Sequence, residues 1–225
     1  MKLLIIRPQL AADKTAQLAA HAGMEPSTMP LFEVQPVAWA IPPADNFDGL
    51  LVTSANALRN CGDVGAGVKK LPLLAVGETT AEKARQLGYD VKLVGTSGKA
   101  ELLTEARKRG FANILWLAGK HRTVSHEDDG IISNTVSVYE SRAVPPPSDF
   151  PERIENIDVV ALHSSRAAQH FGALVTKHDL PREDISIAAL SSKIAEQAGS
   201  GWRDVVIAKT PDDAALLLAA QSLAR

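Results

Sequence analysis

Short apolar runs punctuate the chain: LLIIRP, GLLVTS, PLLAVG, VKLVG, ILWLAG, VVALHS, SIAALS and VVIAK. They are rich in Leu, Ile and Val and lack polar alternation, which marks strands buried on both faces. Between them lie DKTAQLAAHAG, TAEKARQLG and DDAALLLAAQSLAR, with apolar residues at a spacing near 3.6. Strands alternating with helices predict parallel βα units, hence an α/β protein with open parallel sheets. The stretch TPDD at 210–213 reads as a helix start, with Thr210 as N-cap, Pro211 in the first turn and an acid three residues on.

The pattern occurs twice. Residues 71–104 align without a gap on residues 185–218 at an offset of 114, with ten of 34 columns identical. Chance would give roughly two or three, so the chain carries an internal repeat. The preceding segments match as well, FDGLLVTSANAL with IDVVALHSSRAA at an offset of 110. A weaker pair joins KLLIIRPQ…MPLFEVQPV to NILWLAGK…VSVYESRAVP, giving the order A-B-C-A′-B′-C′.

Proline-rich stretches follow A and A′, at PVAWAIPPADN and AVPPPSDFP, while C runs into A′ without a break. If such stretches mark boundaries, residues 42–140 form one inserted lobe and 1–35 with 146–225 form a discontinuous one. Residues 36–41 and 141–145 are then a two-stranded bridge. The expected architecture is two similar, flavodoxin-like lobes hinged about that bridge.

The strand-end loops are the candidate chemistry. AVGETT is neither a Walker loop, which needs G-x-x-x-x-G-K-[ST], nor a dinucleotide fingerprint, having one glycine before its helix. What remains is a strand end leading into a helix N-terminus, where free N–H groups and the positive dipole end favour anions. TSANA and HSSRA repeat the device, with Ser54 and Ser164 as N-cap candidates. Ligands of open α/β sheets sit beyond the carboxyl ends of the strands, so several amide-lined cups would suit a ligand with many carboxylates.

Composition narrows the classes. The 225 residues are 45% hydrophobic and 22% charged, with net charge −2. That balance offers no general pull toward nucleic acid or anionic membrane, and an aromatic content of 4% leaves little for base stacking. No apolar run nears the ~18 residues of a membrane span. MKLLIIRP is too short for a signal-peptide core, and a single cysteine, Cys61, suits a reducing compartment. These features point to a cytoplasmic protein, with a monomer as the default.

Several motifs together resemble the uroporphyrinogen-III synthase family: RP near the start, D-G-L-L-V-T-S-A-N-A, A-V-G-E-T-T-A followed by G-Y-D-V, L-A-G-x-x-R, V-x-V-Y, and the closing G-W-x-x-V-x-x-A-x-x-P-x-x-A-L-L. Their order covers nearly the whole chain. The resemblance implies two α/β lobes on a two-stranded bridge. It also implies the cofactor-free closure of hydroxymethylbilane, held in the inter-lobe cleft, to uroporphyrinogen III, a hydro-lyase step of haem biosynthesis. That chemistry runs through attack at the substituted α-carbon of ring D, a spiro intermediate, fragmentation and reclosure with the ring inverted. It would be driven mainly by positioning and fixed dipoles. No metal is called for, and a transient hand-over from the upstream hydroxymethylbilane synthase would supply the substrate.

Carried onto this chain, the resemblance makes Tyr139 the proton donor to the departing hydroxyl, with bridge packing as its plainer role. Thr80 falls at the family's cleft position, or is a cap. Ser54 and Ser164 would offer hydroxyl and N–H to carboxylates. Arg7 and Arg122 would be cleft-side cations, against the plainer reading of solvated arginines. Lys193 and Arg166 are weaker candidates of the same kind. The chain departs from the family turn at LSSKIA, where Ile194 stands in place of the threonine and a hydroxyl role is lost.

The six histidines lack metal-ligand spacing and read as surface or packing residues, with His163 alone on a strand-end turn. Cys61 reads as a small buried residue, Trp202 as an anchor for the turn before the last strand, and Glu127, Asp128 and Asp129 as a solvated loop. The rival function is a two-lobed cytoplasmic binding protein or sensor that closes on an anionic metabolite without transforming it. A pair of flavodoxin-like or receiver domains is a third reading, but it wants a flavin loop or an acidic phosphoacceptor pocket, and neither is evident.

Overall fold

The computed structural model describes residues 1–122 and 130–223. The elements run β1 (Lys2–Ile5), α1 (Gln9–His21), β2 (Glu25–Thr28), β3 (Phe32–Pro36), β4 (Gly49–Val52), α2 (Ala55–Asn60), α3 (Gly65–Lys69), β5 (Leu73–Val76), α4 (Glu78–Gln86), β6 (Val91–Gly95) and α5 (Lys99–Lys108). They continue with β7 (Ile114–Gly119), β8 (Ile132–Ala143), α6 (Phe150–Glu155), β9 (Val159–Leu162), α7 (Ser165–Lys177), β10 (Ser186–Ala189), α8 (Ser192–Gln197), β11 (Val205–Ile207) and α9 (Asp213–Gln221).

The chain divides into two compact units, Met1–Glu33 with Arg142–Arg225, and Val34–Ser141. It passes from one to the other within β3 and within β8, which are neighbours in one sheet. Both changeovers fall inside hydrogen-bonded strand rather than in the proline-rich segments themselves.

In the first unit the sheet order is β11-β10-β9-β1-β2, and the pairings are parallel. Counted along the chain this is the 2-1-3-4-5 order of a doubly wound sheet. Alternate residues of its strands feed two cores. Leu4, Val160, Leu162, Ile187 and Ala189 meet Phe171, Leu174 and Val175 of α7 on one face. Leu3, Ile5, Val159 and Ala161 meet Ala12 and Ala19 of α1 and Leu216 and Leu217 of α9 on the other. β9 and β10 are buried at every position, which is why they read as unbroken apolar runs.

In the second unit β8-β7-β4-β5-β6 is likewise parallel, with β3 outside β8. Leu50, Val52, Leu73, Ala75, Leu115 and Leu117 pack toward α2 and α4. Leu51, Leu74, Ile114 and Trp116 pack toward Leu102, Leu103 and Ala106 of α5. Each fully buried leucine contributes roughly 1.5–3 kcal/mol, so both sheets are held from both sides.

One local expectation is corrected. The last helix is capped by Asp212, not Thr210: the Asp212 carboxylate accepts from the Ala215 N–H at 2.9 Å, and the helix opens at Asp213. A carboxylate two residues nearer the helix outcompetes the threonine, whose carbonyl accepts instead from the Asp212 N–H. Among the described residues no helix is long and apolar enough to cross a membrane.

Candidate active site

In an open parallel sheet, connections leaving in opposite directions open a crevice at the carboxyl ends of two adjacent strands. In the first unit that switch falls between β1, whose chain leads to β2, and β9, whose chain leads to β10. In the second it falls between β4, leading to β5, and β7, leading to β8. The loops after these four strands carry Arg7, His163 and Ser164, Thr53 and Ser54, and Lys120 and Arg122.

At the second unit's crevice, Ser54 caps α2 by accepting from the Asn56 N–H at 3.2 Å. A capping serine oxygen keeps its own proton, so the hydroxyl remains a donor. Beside it the Trp116 indole N–H donates to Thr53 Oγ1 at 3.3 Å, tying β7 to β4 across the switch. Arg122 donates from Nη1 to the Gly119 carbonyl at 3.2 Å and to Ser137 Oγ at 3.1 Å, which anchors it at the end of β7. Lys120 pairs with Glu140 at 3.0 Å.

Tyr139 stands in β8 opposite Gly119, where the register shifts by a bulge. Its backbone carbonyl accepts from the Lys120 N–H, and its ring packs on the α2/α4-side core. The phenol is half-buried, and among the described residues its hydroxyl has no hydrogen-bond partner.

AVGETT is a helix start without a side-chain cap. Gly77, at φ 80°, is the N-cap of α4 and offers no side chain, a conformation in which other residues are strained. Thr80 does not serve as that cap. It sits in the first turn, 5% exposed, with its amide bonded to the Gly77 carbonyl. The uncapped first turn leaves amide donors for an anion.

In the first unit Ser164 caps α7 through the Ala167 N–H at 3.2 Å. Lys193 is exposed in the first turn of α8. Ile194 turns its side chain to the core, its amide capped by Ser191, so the hydroxyl of the family turn has no counterpart there. Arg166 lies 5.0 Å over the Phe32 ring.

Arg7 is not a free cation: Nη1 donates to Asp213 Oδ1 at 3.0 Å, to Oδ2 at 3.1 Å and to Thr15 Oγ1 at 3.1 Å. His163 joins the group, with Nε2 3.3 Å from Asp213 Oδ1. Burial alone would raise the Asp213 carboxyl, but the imidazole, the Thr15 hydroxyl and the Arg7 charge outweigh it and hold the carboxyl at about 2.

Sequence reasoning misses Asp213 and Thr15 and gives His163 only a surface or packing role. The signal that could have found Asp213 and His163 is the repeat, which sets Asp213 opposite Lys99 and His163 opposite Thr53. Lys99 escapes in the same way, and its Nζ lies 4.2 Å from the centre of the Trp116 ring.

The remaining residues singled out by sequence are structural. Burial pushes the Cys61 thiol up, which disfavours the thiolate a nucleophile needs. Trp202 stacks on Phe171 at 5.6 Å and donates to the Gly199 carbonyl, anchoring its turn as expected. His126, Glu127, Asp128 and Asp129 lie outside the described residues. A concavity of about 630 Å³ in the first unit is lined by Lys2, Asp158, Ile185 and Arg203. It opens at the amino ends of β1, β9 and β10, away from the crevice.

Two doubly wound parallel sheets, each with polar side chains at its switch point, define a two-unit α/β protein. The family model described as uroporphyrinogen-III synthase HemD matches residues 13–217. The chain belongs to the uroporphyrinogen-III synthase family, lyases of haem biosynthesis. Its fold is similar to that of uroporphyrinogen-III synthetase from Helicobacter pylori 26695, with a TM-score of 0.68 at 18% identity over 99% of both chains. It is also similar to a mutant uroporphyrinogen III synthase from the extremely thermophilic bacterium Thermus thermophilus, with a TM-score of 0.54 at 15% identity over 100% of this chain and 98% of that one. Among curated sequences none matches significantly.

Proposed function

We propose that the chain cyclises hydroxymethylbilane to uroporphyrinogen III, with Tyr139 as the acid that protonates the departing hydroxyl. The family match over 13–217 carries the reaction. The proton balance is simple. The hydroxyl leaves ring A as water with the donated proton, and the substituted α-carbon of ring D attacks the carbon left behind. The spiro intermediate fragments at the bond between that substituted α-carbon and the methylene bridge to ring C. The free α-carbon of ring D then attacks the released methylene, closes the macrocycle and loses its proton. No oxidant or reductant enters.

The support for Tyr139 is its placement. The phenol is half-buried, its ring rests on Gly119, and the neighbouring Arg122 is tethered at the same strand end. Ser54, Arg122 and the first turn of α4, which includes Thr80, take substrate carboxylates in the second unit. Arg7, Ser164 and Lys193 do so in the first. Fixed donors of this kind act by orienting a flexible chain that otherwise closes to the uninverted isomer. On this reading the enzyme works in the cytoplasm as a monomer, receiving its substrate by transient hand-over from hydroxymethylbilane synthase.

The test is a coupled assay that supplies hydroxymethylbilane and separates the oxidised I and III isomers. The expected product is the III isomer. A mixture that stays at the I isomer when protein is added would support the sensor reading instead.

A further inference from the structure

The crevice between β1 and β9 holds more than Arg7. Thr15, fully buried in α1, donates its hydroxyl to Asp213 Oδ2 at 2.8 Å while accepting from Arg7. Asp213, the first residue of α9, is thus gripped by the end of β1 and the body of α1 at once. His163 closes the third side. Its side chain is 5% exposed, and neither ring nitrogen has an aligned hydrogen-bond partner, although Nε2 faces Asp213 Oδ1 at 3.3 Å. A buried imidazole without an aligned partner is unfavourable, and such groups are rare where nothing is at stake.

The repeat sharpens the point. Its equivalents in the second unit, Lys99 and Thr53, also meet across their switch point, but at Trp116 and with a cation at the helix start. The first unit has reversed that charge and brought in an arginine from the neighbouring strand. Among the described residues the three hydrogen bonds of the Arg7 guanidinium all leave from Nη1. They leave the Nη2 and Nε side of the fork without a partner among those residues, on a side chain 28% exposed.

We infer that this crevice is a carboxylate subsite in which Arg7 presents the Nη2–Nε edge of its fork to a substrate carboxylate, and that Asp213, locked by Thr15 and walled by His163, is the positioning residue that fixes it. The inference rests on the proposed role of Arg7. A fork held at one nitrogen is pre-ordered for bidentate contact at the other edge, so less freedom is lost on binding.

The sign of one measurement separates positioning from field. Asp213→Asn removes a negative charge beside Arg7. If only the local potential mattered, an anionic substrate would bind more tightly. If Asp213 positions Arg7, KM for hydroxymethylbilane rises about tenfold with kcat within twofold. Arg7→Ala gives a similar KM, and the double variant is no worse than Arg7→Ala alone. Thr15→Val, which keeps the ion pair, raises KM by a smaller factor and serves if Asp213→Asn does not fold by circular dichroism. An unchanged or lowered KM in the Asp213 and Thr15 variants, or losses that multiply in the double variant, overturns the subsite. Failure of the wild-type protein to form the III isomer overturns the parent reading and is scored separately.

Discussion

A Cβ built on Gly119 would stand 2.7 Å from Cζ of Tyr139 and 2.9 Å from its hydroxyl oxygen. The phenol therefore occupies space that only a glycine leaves open, at the bulge where β7 and β8 shift register. Gly119→Ala cannot keep this ring position. Because the obstacle is the far end of a side chain rather than backbone, the ring yields and the fold survives. The expected result is a fall in turnover of about tenfold or more with a Tm within a few degrees of wild type, since misplacing a reacting group by about 1 Å is enough for large losses. Wild-type turnover in a folded Gly119→Ala protein would mean that the phenol position is immaterial.

Tyr139→Phe removes the proton and keeps the ring. General acids typically supply about 10²–10⁴-fold, so turnover should drop at least a hundredfold, while the ring packing against the core is retained. Circular dichroism and thermal melting check the fold, and single-turnover kinetics check the chemistry. Unchanged turnover would leave Tyr139 as packing only.

Asp213 links the first unit to acid. Its carboxyl, about 2 when folded against an ordinary 3.8, binds a proton less readily in the native state than in the unfolded chain. The stabilisation is therefore complete above pH 4 and disappears as pH falls toward 2. It amounts to about 2 kcal/mol. In urea titrations Asp213→Asn should be less stable than wild type by about that amount at pH 7. The gap should narrow steadily between pH 4 and pH 2. The charged partners facing the carboxylate are Arg7, from the end of β1, and His163 when protonated, from the end of β9.

The legibility of the chain follows from what each signal encodes. β4, β7, β9 and β10 are buried at every position, and burial on both faces writes itself as an unbroken apolar run. β2 has the sequence EPST and alternates between exposed and half-buried positions. It lies at the sheet edge beside β1, where pairing is main-chain business and Pro26 is tolerated, so no apolar run announces it. The caps at Ser54 and Ser164 are local and therefore readable. The grip of Asp213 on Arg7 joins residues 206 positions apart. No window of sequence contains both, and only the fold brings the carboxylate to the strand end. Lys99 is hidden similarly, because its role depends on the Trp116 ring one strand connection away.

Away from the strand ends, Gly172 of α7 is a test of packing alone. A Cβ there would run into the backbone carbonyl of Ala198 at the close of α8, and Arg182 already donates to the Gly172 carbonyl from the same side. Replacing glycine by alanine within a helix is worth up to about 1 kcal/mol in propensity. Overpacking against immovable backbone costs about 1–3 kcal/mol. The second effect wins because the obstacle is a backbone carbonyl at the close of α8, which also accepts from Arg182 Nη1 at 3.3 Å, not a flexible side chain. Gly172→Ala is therefore expected to lower the Tm by a few degrees, at about 2–4 °C per kcal/mol for a chain of this size. Specific activity per folded molecule should be retained below the transition. A Tm at or above wild type would show that α7 and α8 can separate to admit the methyl group, and that their contact is looser than the geometry states.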